Sequence, residues 1–158
     1  MSAPNDDGFF DAMHAFGPPT NPIGSHEFDE HVGVGHLRTA QARLADGDLE
    51  VAIREARAAR SYGLPAELAP HGAAILGAAM ALHGDHDDAV TILADSWRAH
   101  PDVAALPALL GSALMLAGDA TRAAYTMHAA LVSEDPDRSL ALLRPLLTRM
   151  FAATQRAR

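Results

Sequence analysis

Apolar residues recur along this chain at helical spacing, in short segments that stop at Gly-Asp pairs or at proline. A helical pattern begins at Ser25, is weakened by Gly33 and Gly35, and is firm through Leu37, Ala40, Leu44 and Ala45 up to Gly47. Asp48 is placed to cap a second helix with Ala52, Ile53, Ala56 and Ala59 on one side and an i,i+4 pair, Glu50–Arg54, on the other. Ser61-Tyr62-Gly63-Leu64-Pro65 breaks the pattern. A third helix is predicted between Ala66 and His83, with Pro70 in its first turn and Ile75, Leu76, Ala79, Met80 and Leu82 at helical spacing. Gly84-Asp85 reads as a turn and cap, followed by a segment from Asp88 to His100 bearing Ala89, Ile92, Leu93 and Trp97 and ending at Pro101. Asp102 to Ala117, then Gly118-Asp119, then Ala120 to Val132 repeat the plan. The last segment, Asp137 to about Gln155, puts Leu140, Leu143, Leu147, Met150 and Phe151 on one stripe, and Pro145 predicts a kink or a restart. Three helical hairpins and a closing helix result.

Ahead of them, Pro4, Gly8, Gly17-Pro18-Pro19, Pro22 and Gly24 rule out a long regular helix, so residues 1–24 are predicted to be an acidic arm and 25–158 the helical domain. Within the arm Phe9, Met13 and Phe16 fall at i, i+4 and i+7, with Phe10 beside them. This anchor can dock on its own domain or on another protein or subunit, and the pattern leaves both open.

Composition narrows the class. With 49% hydrophobic residues, 5% aromatic and abundant alanine, the 158 residues suit close helix packing better than a β-sandwich, so the fold is predicted to be all-α. A net charge of -8 argues against sequence-independent binding of nucleic acid. Without cysteine there is no disulfide, thiolate metal site or thiol nucleophile. No secretory leader and no long apolar run stand out, so a cytoplasmic protein without membrane contact is expected.

The Gly-Asp turns recur at intervals of 37 residues (84 − 47) and 34 residues (118 − 84), and the second matches the tetratricopeptide period. When they are superposed, Leu76-Gly77 falls on Leu110-Gly111, Ala52, Ala89 and Ala123 coincide, and Pro101 and Pro136 close their units. In these positions the chain resembles the tetratricopeptide (TPR) repeat over Gly33 to Pro136. The first unit departs from the pattern, with Thr39-Ala40 for Leu-Gly and no closing proline, and all three units lack the aromatic expected early in the first helix. The resemblance implies a right-handed α-solenoid of three TPR-like hairpins with a C-terminal capping helix, and a function as a scaffold or chaperone-type adaptor. Its concave groove would show Leu37, Gln41 and Leu44, then His71, Ala74, Ala78 and Ala81, then Ala108, Ser112 and Met115. The Lys, Arg and Asn of a carboxylate clamp are missing there. An apolar groove for a hydrophobic peptide or helix of a partner is expected instead, similar to the chaperones of type III secretion translocators.

Two other classes remain open. Nine histidines raise metal-dependent or catalytic chemistry. However, His26 and His31 stand at i and i+5, rotated by about 140° on a helix, and His83-Gly84-Asp85-His86-Asp87-Asp88 also suits a turn and cap. Gly33-Val34-Gly35 lacks the third glycine of a dinucleotide loop, there is no lysine for a phosphate loop, and no Gly-x-Ser-x-Gly occurs. No catalytic residue, metal ligand or cofactor is therefore assigned. The second class is a self-associating assembly protein: residues 1–36 carry six acids and no arginine, whereas 138–158 carry Arg138, Arg144, Arg149, Arg156 and Arg158 and no acid.

Overall fold

Seven helices follow one another in the computed structural model, which describes residues 22–132 and 136–157, and no strand occurs among these residues. They are α1 (Pro22–Asp46), α2 (Leu49–Tyr62), α3 (Ala69–His83), α4 (His86–Ala99), α5 (Ala105–Leu116), α6 (Ala120–Leu131) and α7 (Pro136–Arg156). The all-helical class and the segment order agree with the sequence pattern. The arm anchor, Phe9, Phe10, Met13 and Phe16, lies outside the described residues.

Three turns are built alike. Gly47, Gly84 and Gly118 adopt φ of 84°, 110° and 86°, the left-handed region that glycine reaches without a Cβ penalty. The next amide in each, of Asp48, Asp85 and Asp119, donates back to Arg43, Met80 and Leu114 at 2.9 Å, closing the end of the preceding helix. Asp48 and Asp119 then cap the following helix, accepting from Val51 N at 3.5 Å and Arg122 N at 3.0 Å. Asp85 departs from the expected cap: its carboxylate instead accepts from His83 Nδ1 at 3.1 Å.

Consecutive helices pack on one another from α1 to α6, and α1, α3 and α5 also touch in that order, whereas no comparable contact links α2 to α4 or α4 to α6. The odd-numbered helices therefore form the tighter layer. α3 lies in its middle, and from Gly72 to Ala81 every residue is buried. Small residues allow the approach. A Cβ on Gly77 would meet three side-chain atoms of Leu93 at 2.5–3.0 Å, and one on Gly111 would meet Met127 Cγ at 2.5 Å. Both members of that pair advance by the same 34 residues (77 to 111, 93 to 127), and Ala40 and Ala56, at the same separation of 16, are fully buried in the first pair.

Several local readings change. α1 starts at Pro22, three residues inside the stretch assigned to the arm. α7 runs through Pro145 as one helix, without the restart. Arg54 pairs with Glu55 at 3.2 Å and not with Glu50, which faces His83 Nε2 at 4.0 Å across the first two turns. Among the described residues no helix is long and apolar enough to cross a membrane.

Candidate functional site

The face to be judged is the layer of α1, α3 and α5, where the groove was expected. Leu37, Leu44, Ala74, Ala78, Ala81, Ala108 and Ser112 are all buried there, His71 and Met115 are half-buried, and Gln41 is exposed. The structure does bring the predicted residues onto one layer, but not as an open wall. Ser112 donates within its own helix to Ala108 O at 3.0 Å. His71 Nδ1 donates to Glu67 O at 3.2 Å, while its Nε2 is shut from solvent without a partner among the described residues.

α7, the expected closing helix, packs on α5 and α3 among the described residues. Leu146, Leu147, Met150 and Thr154 fall at i, i+1, i+4 and i+8 on one helical face, and all four are buried, Met150 completely. Leu146, Leu147 and Met150 join the same apolar core as the α3 and α5 residues. Arg149 extends this seat to the first pair: its Nη2 lies 3.5 Å from where a Cβ on Gly47 would be. A cation suits the C-terminal end of α1, where carbonyls carry partial negative charge. Arg149 Nη1 is shut from solvent and has no hydrogen-bond partner among the described residues.

Tyr125 and Leu131 on α6 and Val132 just after it are 80%, 84% and 65% exposed. On the other side of the molecule a cleft of about 300 Å³ opens between the end of α2 and α4, lined by Arg60, Leu64, Ala69, Ala73, Ile92, Asp95, Ser96, Ala99 and His100. It contains none of the predicted groove residues.

Sequence spacing missed one polar cluster altogether. His36 on α1 bonds through Nδ1 to Glu55 Oε2 on α2 at 2.7 Å and stacks on Tyr62, with ring centroids 5.4 Å apart and planes 10° from parallel. The hydrogen bond from His36, aided by Arg54, holds the Glu55 carboxyl below its ordinary value despite the opposing effect of burial. A lowered carboxylate stabilises the fold above the usual glutamate range, and that contribution is lost as pH falls through the lowered value. Glu55→Gln is therefore expected to cost about 1 kcal/mol or less near neutrality. In urea unfolding the gap from the parent should close as pH drops below roughly 4; a gap independent of pH would count against the pair. Among the described residues no group of three His, Asp or Glu side chains is placed to hold a metal ion. Compared with known proteins, the chain matches no family model, no curated protein and no solved structure.

Proposed function

We propose that this protein is a protein-interaction module, a right-handed solenoid of three tetratricopeptide-like hairpins that holds an apolar peptide or helix of another protein against the layer of α1, α3 and α5. The observation that carries this reading is the seat of α7, an amphipathic helix already lying on α3 and α5 with Leu146, Leu147 and Met150 buried. A face that accepts one helix in this way has the small, apolar side chains needed to accept another. The repeat reading is supported by the Gly77–Leu93 and Gly111–Met127 approaches, spaced 34 residues apart. Scaffold or chaperone-type adaptor work follows from such a face, and no catalytic role is assigned.

The test is site-specific photocrosslinking in the native host. A crosslinker at Gln41, exposed on α1, or at half-buried Met115 on α5 should capture a partner. One at exposed Arg54 or Arg98, on α2 and α4, should not. Capture through Arg54 and Arg98 alone would move the binding surface to the other layer and defeat the reading.

A further inference from the structure

Resting on that reading, we infer that α7 is the chain's internal stand-in for its partner, and that the partner is a cationic amphipathic helix which takes the α3–α5 seat in exchange for it. The seat records what it fits. It holds apolar side chains at i, i+1 and i+4 (Leu146, Leu147, Met150) and brings an arginine at i+3, Arg149, to the end of α1. Charge points the same way. Residues 138–158 carry five arginines and no acid, whereas residues 1–137 carry seven arginines against all 20 acids, a net of -13 (7 − 20). A body so acidic attracts a cationic helix and repels an acidic one.

What must break for α7 to leave is, among the described residues, its packing on α5 and α3 and the approach of Arg149 to Gly47. Tyr125 and Leu131 on α6 and Val132 just after it are exposed apolar side chains close in sequence to α7. α3, by contrast, is buried from Gly72 to Ala81 between its neighbours and cannot leave without global unfolding.

The probe is a labelled synthetic peptide of residues 136–156 added to the full-length protein. Intact protein should bind it weakly, because the resident helix competes at an effective concentration on the order of millimolar. Met150→Ala in the full chain removes one anchor of the resident helix and should tighten peptide binding at least tenfold. A peptide with both Leu147 and Met150 replaced by Asp should not bind, and added salt should weaken the parent peptide. Hydrogen exchange on the unmodified protein gives an arm independent of any variant: amides of α7 should exchange together and at least a hundredfold faster than those of α3. Equal protection of α7 and α3 would overturn the exchange, as would peptide binding that leaves α7 protected, or a Met150→Ala protein that binds no tighter. A concentration-dependent dimer formed by Met150→Ala with no peptide uptake would assign the seat to a second copy and likewise overturn it. If partners still crosslink through Gln41 while α7 stays protected, the interaction module stands and only the exchange falls.

Discussion

Ala78→Arg is expected to destabilise the protein by about 5 kcal/mol or more, a third or more of the total stability of an ordinary domain, about 5–15 kcal/mol. Ala78 has no exposed surface, and its helix, α3, is enclosed by α1, α2, α4, α5 and α7. An arginine there would bring about 1–3 kcal/mol of overpacking and several kcal/mol more for a buried charge without a partner. For a chain of this length the loss corresponds to a melting point roughly 10–20 °C lower. Gln41→Arg, on the exposed side of α1, should stay within about 0.5 kcal/mol of the parent. Circular dichroism melts decide it: if Ala78→Arg melts within a few degrees of the parent, Ala78 faces solvent and the α3 wall is open.

Two glycines on α1, two residues apart, are expected to respond with opposite sign. A Cβ on Gly33 would run into the carbonyl oxygen of Gly63 and lie 3.1 Å from that of Ala59. Both obstacles are backbone, so no rotamer change relieves them, and α1 must draw away from the end of α2. Gly33→Ala should cost roughly 3 kcal/mol of packing against about 1 kcal/mol gained in helix propensity, lowering the melting point by about 4–8 °C. At Gly35 nothing lies within 4 Å of the added Cβ. Gly35→Ala should therefore raise stability by about 0.5–1 kcal/mol through propensity alone. Shifts in the same direction for both variants would mean that α1 and α2 do not meet at Gly33.

The helices and turns were legible because their causes are local. Gly47-Asp48, Gly84-Asp85 and Gly118-Asp119 state where the chain reverses, and apolar spacing states the helices between them. The Leu-Gly pair of Gly77 and Gly111 stood out because it returns 34 positions later, and each glycine proves to lie against the helix that follows. What spacing could not state was which surface remains free. Leu37, Ala78 and Ser112 do belong to one layer, but all three are buried, through long-range packing among the helices that residue spacing does not carry. The basic 138–158 segment set against the acidic 1–36 suggested contact between subunits. The His36–Glu55–Tyr62 cluster escaped for a similar reason, since its members come from two helices with no shared period. Asp85 shows the reverse error: recurrence of the turn implied recurrence of the cap, and a neighbouring histidine took the carboxylate.

The order in which the chain is made gives the position of α7 a further consequence. α3 and α5 leave the ribosome before α7, whose 21 residues require about 1–4 s of further translation at about 5–20 residues per second. During that interval α3 and α5 are without the helix that packs on them. A partner synthesised nearby would meet the seat vacant, before the resident helix exists to compete.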